Sequence, residues 1–200
     1  MTNYLCISGQ MRSGKNVTGD YICKKLNYTE ASFAKPVKDI FCQAFGVDLN
    51  FVEEWKVKKE NPPGFQKTVR ETLQFIGDGF RNSNSNVWVD YAFKNNKIYS
   101  CYTDGRYVNE LIRIRKEGGI NILLRRPDYE NECENESEAQ IRRLVDWFVS
   151  KKIEGNVRHF SKENAPEGCF FVDFFIVNDG SVQDLYSKID KFVIPEIKKD

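Results

Sequence analysis

The sequence predicts a three-layer α/β domain built on a central parallel sheet. Three observations carry that expectation. A short apolar run, Tyr4-Leu5-Cys6-Ile7, enters a glycine-bracketed loop and then a helical stretch. Apolar runs alternate with amphipathic stretches along the rest of the chain, and the links between them are short enough to favour right-handed crossovers.

The elements follow in order. The first strand leads through Gly9 to Lys15 into a helix reaching about Lys25. Residues 30 to 33 read as a short second strand. Pro36 then opens a helix whose Val37, Ile40, Phe41, Ala44 and Phe45 recur on one face, with Gly46 as its stop. From about 48 to 65, aromatic and charged residues mix around Pro62-Pro63-Gly64, which predicts a mobile or irregular insertion on the substrate side.

Residues 67 to 79 allow an amphipathic helix through Val69, Leu73 and Ile76; a polar break over Asn82 to Asn86 precedes a further helix at Val87-Trp88-Val89. Ile98 to Thr103 reads as a strand ending at Asp104, followed by a helix over roughly 108 to 117 that Gly118-Gly119 terminates. Ile120 to Leu124 is apolar enough for an inner parallel strand, ending at Arg125-Arg126-Pro127. An acidic loop at 128 to 138 leads into a helix with Ile141, Leu144, Val145 and Phe148 on one face and Ser137 and Gln140 at capping-box spacing. Phe170 to Val177 is the last predicted strand. Asn178-Asp179-Gly180 makes a turn, and Val182, Leu185, Ile189, Phe192 and Val193 form the stripe of a closing helix. There is no internal repeat.

Composition narrows the function classes. Two hundred residues suffice for one core without disulfide or metal staples, and 40% hydrophobic with 14% aromatic residues argue against wholesale disorder. A net charge of +1 gives no bulk attraction to nucleic acid, although it leaves room for a local anionic site. The apolar stretches fall short of the roughly 20 residues that cross a bilayer. Met1-Thr2-Asn3 carries no cationic leader, so a soluble intracellular protein is the working expectation. The six cysteines, at 6, 23, 42, 101, 133 and 169, are widely spaced without a C-x-x-C pair and read as reduced thiols. The sole histidine, His159, offers zinc no companions and reads as structural or solvent-facing.

The chemistry concentrates in the first loop. Gly9, four residues and then Gly14-Lys15 is the spacing that lets successive backbone N–H groups curl around phosphate oxygens while a lysine reaches the outer phosphates. Gly9, Arg12, Ser13, Gly14, Lys15, Asn16 and Val17 are the nucleotide-binding candidates. Ser13 suits a small loop position better than the role of an acylating nucleophile. Asn16 stands where serine or threonine usually ligates magnesium, and Thr18 either shares that site or faces elsewhere. Asp104, closing a strand at the expected crevice, either orients Mg2+ through its outer shell or caps the following turn, so Asn16 and Asp104 are the metal candidates.

Several cations have two readings each. Arg12 contacts a transferred phosphoryl group or points outward, and Arg106 shares the rim of Asp104. Arg125 and Arg126 compensate phosphate charge or join a strand-end ion-pair network. Lys35 and Lys38 anchor an acceptor phosphate or begin a solvated helix; Arg70 and Arg81 assist the acceptor or belong to ordinary surface. Arg142 and Arg143 close over nucleotide or simply face water on an amphipathic helix.

The ordered set of segments resembles the viral and bacteriophage deoxynucleoside monophosphate kinases, a branch of the P-loop nucleotide-kinase superfamily. The resemblance covers most of the chain. It rests on Leu5 to Lys15, Ala34-Lys35-Pro36-Val37-Lys38-Asp39, Arg70 to Gly77, Thr103 to Glu110, Ile122 to Pro127 and Ile176 to Ser181. It implies a single P-loop kinase domain over 1–200, with a monophosphate-side insertion at about 48–96 and a lid at about 126–165.

It further implies ATP and Mg2+ as cofactors and a deoxynucleoside monophosphate as substrate. Lys15 would stabilise the donor phosphates, Asp104 would organise metal or acceptor, and Arg106 would grip acceptor phosphate; with Arg12, placed by its position in the loop, these make the catalytic set. Lys35, Lys38, Arg70, Arg81, Arg106, Arg125 and Arg126 would form the acceptor side. A homodimer, a cytoplasmic location (the host cytoplasm for a viral protein) and no stable nucleic-acid or membrane partner are also implied. Asn16 and Val17 depart from the usual pattern at the metal position. Two other readings compete: another small-molecule P-loop kinase, and an ATP-responsive binding module without turnover.

Overall fold

A computed structural model describes residues 2–58, 60–127 and 136–198. The chain divides into two compact units, one formed by residues 33–95 and the other by the segments on either side of it.

The larger unit is built on a six-stranded sheet. Its strands are β1 (Tyr4–Gly9), β2 (Thr29–Ala31), β3 (Ser100–Gly105), β4 (Ile120–Arg125), β5 (Gly155–Asn156) and β6 (Phe174–Val177), in the order β2-β3-β1-β4-β6-β5. Every neighbouring pair is parallel except β5 with β6. The predicted parallel sheet is therefore present, with one short antiparallel strand added at an edge.

Strand alternation decides which side chains meet which helices. Leu5 and Ile7 of β1, Ile120, Ile122 and Leu124 of β4, and Phe174 and Ile176 of β6 share one core with α1 (Lys15–Leu26) and α8 (Val182–Phe192). From those helices come Ile22, Leu26, Leu185 and Ile189, all buried. On the opposite face lie α6 (Val108–Lys116) and α7 (Glu136–Ser150); Phe148 of α7 stacks on Phe175 with ring centroids 5.1 Å apart. A short α9 (Ile194–Ile197) closes the chain, with Val193 and Ile197 fully buried. The sheet thus carries helices on both faces, as the sequence predicts.

The caps explain where these helices begin and end. Glu110 is buried, and its carboxylate accepts from the backbone N–H groups of Arg106 and Tyr107 at 2.6 and 3.0 Å, fixing the entry to α6. Ser181 and Asp184 form a reciprocal capping box at α8. Gly19 in α1 is required by a close approach: a Cβ there would overlap the Thr103 methyl group of β3.

The 33–95 unit is helical. It contains α2 (Lys35–Phe45), α3 (Leu49–Lys56), α4 (Val69–Ser83) and α5 (Val87–Asn95). Pro36 sits in the first turn of α2 and Gly46 ends it in the left-handed conformation, φ 65°. Thr68 and Glu71 cap α4 reciprocally. Phe41, Val52 and Val69 are fully buried and form a small core of their own.

Several expectations are corrected. The stretch from 48 to 65 is not irregular throughout: α3 occupies Leu49–Lys56, started by Asp48, whose carboxylate accepts from Phe51 N at 2.8 Å. The last strand begins at Phe174 rather than Phe170, because Glu167–Phe171 turns as a 3-10 helix. Ser137 lies inside α7, not before it, and Gln140 Oε1 instead accepts from Val108 N at 3.4 Å. Val182, expected on the buried stripe of the closing helix, is exposed. The predicted loop residues 128–135, Cys133 among them, lie outside the described residues. Among the described residues no helix is long and apolar enough to cross a membrane.

Candidate phosphate-binding site

The site begins where β1 runs out. Gly9 pairs in register with Leu124, and a side chain on it would come 2.5 Å from the Leu124 carbonyl oxygen and 2.6 Å from Ser13 Oγ. Gly14, at φ 102°, ends the loop; a Cβ there would lie 2.9 Å from Asn178 Nδ2. Gly9 is therefore dictated by space, and Gly14 by its left-handed backbone angle. The loop closes on itself through Ser13 N donating to Gln10 O at 3.2 Å. Asn178 Nδ2 then donates to Ser13 O at 3.1 Å, tying the turn after β6 to the loop. The first turn of α1 presents its N–H groups at this point, an arrangement that favours anions.

Lys15 is the first residue of α1 and is buried. Its Nζ donates to the carbonyls of Gly9 at 2.8 Å and Gln10 at 2.7 Å. Burial, and then the nearby Arg106 guanidinium, push its pKa down from 10.5 to about 8, against the pull of Glu138 and Asp104. Arg106, Asp104 and Glu138 therefore all lie close enough to act on Lys15, and two cations and two carboxylates gather beside the loop.

Asp104 is the penultimate residue of β3, with Oδ2 accepting from Ser32 Oγ at 2.6 Å, so the segment after β2 holds that carboxylate. Arg106 follows with its Nη1 at 3.2 Å from Glu138 Oε1. Glu138 is buried although it is a carboxylate, which the charges around it explain. Gly105, between Asp104 and Arg106, has no room for a side chain: a Cβ would overlap Cys6 Sγ and come 2.6 Å from Ser8 Oγ.

The remaining predicted residues divide by place. Arg12 is exposed within the loop at φ 60°, a left-handed conformation uncommon for a residue with a side chain. Asn16 and Val17 are exposed on the first turn of α1, whereas Thr18 is fully buried, its Oγ1 without a hydrogen-bond partner among the described residues. Thr18 thus faces inward. Ser13 Oγ is likewise buried without a partner among the described residues. Arg125 ends β4 half-buried and Arg126 follows it exposed. Arg142 lies half-buried on α7 and Arg143 is exposed; His159 is also exposed.

Lys35, Lys38, Arg70 and Arg81 belong to the helical unit. Lys35 pairs with Asp39 at 2.7 Å, Lys38 with Glu53 at 2.5 Å, and Arg81 with Asp78 at 3.4 Å. Arg70 is half-buried in the first turn of α4.

Sequence reasoning missed Ser32, Glu138 and Asn178 as individual contributors. Each acts through a partner distant in the chain: Ser32 on Asp104, Glu138 on Arg106 and Asn178 on Ser13. Only Asn178 had a local signal, in the Asn178-Asp179-Gly180-Ser181 turn.

The fold and loop together define an α/β protein with the architecture of the P-loop kinases. Shikimate kinase from Acinetobacter baumannii, solved in complex with shikimate, has the same fold, with a TM-score of 0.51, 16% identity and coverage of 100% of this chain and 97% of that one. A shikimate kinase from Aquifex aeolicus overlaps more loosely, at a TM-score of 0.45 and 11% identity over 98% of this chain and 99% of its own. A protein of Acanthamoeba polyphaga mimivirus, described as a candidate deoxynucleotide monophosphate kinase, is 24% identical over 202 residues, spanning 92% of each chain. No family model matches the chain.

Proposed function

We propose that the protein transfers the terminal phosphoryl group of ATP to a deoxynucleoside monophosphate, giving ADP and the deoxynucleoside diphosphate. The observation that carries this reading is the state of Lys15. Its ammonium is buried at the mouth of a glycine-bracketed loop, disfavoured by desolvation and by Arg106, and an anion arriving there relieves both. The mimivirus relative, similar along nearly its whole length, supports a deoxynucleotide as the acceptor.

In this reading Gly9 and Gly14 leave the backbone N–H groups clear for the donor's phosphates. Lys15 leaves the loop carbonyls to follow the charge on the outer phosphates, and Arg12 stands where the transferred group passes. An acceptor phosphate oxygen attacks the γ-phosphorus as the bond to the β–γ bridging oxygen breaks, and the charge moves onto ADP. Arg106 holds the acceptor phosphate, with Glu138 fixing its guanidinium. Lys35, Lys38, Arg70, Arg81, Arg125 and Arg126 are the further cations of the acceptor side. The helical unit serves as the monophosphate-binding part, and the region of about 126–165 as a lid that excludes water, a competing acceptor.

The residues fit magnesium in one manner. Among the described residues there is no cluster of three or more His, Cys, Asp or Glu able to hold a metal ion. Asp104, oriented by Ser32, would act through the outer shell and Asn16 would offer an amide oxygen, to an ion held chiefly by phosphate oxygens and water. When bound, Mg2+ would neutralise charge on the transferring phosphates.

A panel of dAMP, dGMP, dCMP, dTMP, their ribonucleotide counterparts and non-nucleotide acceptors such as shikimate, each with ATP and magnesium, tests the reading by product identification. Diphosphate formation from at least one deoxynucleotide is expected. ATP binding by folded protein with no nucleotide product would sink it, and preference for a non-nucleotide acceptor by orders of magnitude would reassign the substrate.

A further inference from the structure

Within the helical unit, a cavity of about 300 Å³ opens between α2, the end of α4 and α5. Its apolar wall is made by Ile40, Phe80, Trp88 and Tyr91, and its polar groups come from Asp39 and Gln43. We propose that this cavity is the seat of the acceptor's nucleobase, with Asp39 and Gln43 reading the edge of the ring. The assignment of that base to the acceptor rests on the phosphoryl-transfer reading above.

The walls are those a flat ring needs. Trp88 is buried, and its Nε1 donates to Gly77 O at 3.0 Å, which fixes the plane of the indole. The Phe80 ring lies 5.2 Å from it at 47°. Phe80 and Tyr91 are both about half exposed, so two large aromatic faces border the cavity without being covered by the unit's own core. A planar heteroaromatic ring covers such faces with good dispersion contact and favourable stacking geometry.

The polar groups add a direction. Asp39 and Gln43 stand one helical turn apart on α2, hence on one face. Asp39 is paired with Lys35 at 2.7 Å, and its carboxylate oxygens accept hydrogen bonds. Gln43 makes no side-chain hydrogen bond among the described residues and offers both a donor and an acceptor. An acceptor beside a donor–acceptor amide is complementary to a base edge that alternates N–H and carbonyl or ring nitrogen. The volume is at the small end of ligand sites, about the 300 Å³ lower bound, which suits one base with its sugar better than a dinucleotide.

The test uses the full chain with Trp55→Phe and Trp147→Phe, which leaves Trp88 as its single tryptophan. Phosphate-free deoxyguanosine, deoxyadenosine, thymidine and deoxycytidine are titrated against its emission. Saturable quenching by at least one nucleoside is expected. Asp39→Asn should weaken the best-bound nucleoside by about tenfold or more, as loss of a charge-assisted hydrogen bond does, and change the order of the four. Gln43→Leu should change the order while leaving the Lys35–Asp39 pair intact, and Phe80→Ala should weaken all four alike.

No saturable quenching in protein with an unchanged thermal transition overturns the proposal, as does an unchanged order in both Asp39→Asn and Gln43→Leu. The two readings fail separately. Turnover whose base preference ignores both substitutions refutes the cavity alone, whereas nucleoside binding without any product on adding ATP and monophosphates leaves the cavity and refutes the transfer.

Discussion

Asn178, in the turn after β6, donates from Nδ2 to the carbonyl of Ser13 at 3.1 Å, so the two ends of a 165-residue separation meet on the phosphate loop. The same amide lies 2.9 Å from the point a Gly14 side chain would occupy. Asn178 therefore braces the loop at the residue before its second glycine. Asn178→Ala removes one hydrogen bond of about 1 kcal/mol, and donor affinity should fall roughly fivefold. Asn178→Asp should do worse, because a carboxylate would face both a carbonyl oxygen and the incoming phosphates. Calorimetric titration with ATP checks the order; equal affinities for wild type and both variants would refute the brace.

Lys15 gives a pH prediction whose sign follows from its pKa. The folded value, about 8, lies below the ordinary 10.5, so between those two values the unfolded chain binds more protons than the folded one. Stability attributable to this residue therefore rises with pH across that window and is flat below it. Binding runs the other way. Phosphate favours the ammonium form, so near pH 8.5 the protein should take up as much as about three-quarters of a proton per ATP bound, and affinity should decline as pH climbs above 8. Titrations in buffers of different ionisation enthalpy measure that uptake directly. Lys15→Met should abolish it, and uptake persisting in that variant would assign the proton elsewhere.

Asp104 and Lys15 should separate kinetically. Asp104 accepts from Ser32 at 2.6 Å, and Asp104→Asn should leave ATP affinity within about twofold of wild type while transfer falls by about 10²-fold or more, as expected when electrostatic organisation is lost. Lys15→Ala should lower both. Ser32→Ala, which keeps the carboxylate but frees its orientation, should produce an intermediate loss of kcat with little change in KM. Equal loss of ATP affinity in Asp104→Asn and Lys15→Ala would contradict the division.

The strand, loop and helix around Gly9 to Lys15 were legible because their signals are local: glycines where side chains cannot fit, and an apolar run before them. The stripes Ile141, Leu144, Val145 and Phe148 of α7 were legible for the same reason, as helical periodicity maps onto burial. Helix α3 was not, although Asp48 stood at its start, because only Val52 of its residues is fully buried and the stripe is thin. The 3-10 turn at Glu167–Phe171 hid inside a run of strand-forming residues. The site contributors Ser32, Glu138 and Asn178 depend on pairings across 72, 32 and 165 positions, which no local pattern encodes.

The same limit concealed Asp173, a fully buried carboxylate at the start of β6 and at the opposite end of the strands from the phosphate loop. Its oxygens accept from Asn121 N at 2.8 Å and Arg158 Nε at 2.6 Å, and Arg115 also pairs with it. Arg158 spans onward to Glu196 at 3.3 Å and lies over the Phe174 ring. One carboxylate thus joins α6, β4, β6 and α9, elements far apart in sequence. Removing its charge takes the buried counter-charge from two guanidinium groups, and breaking such a pair costs about 3–5 kcal/mol where it is dry. Because both arginines keep partial contact with water, the lower end applies to Asp173→Asn, about 3 kcal/mol, or roughly 6–12 °C in Tm for a chain of this size. Arg115→Ala should cost less, since Arg158 and Asn121 still hold the carboxylate. Urea denaturation ranks the two variants, and Asp173→Asn unfolding at the wild-type midpoint would show that the cluster is merely solvated surface charge.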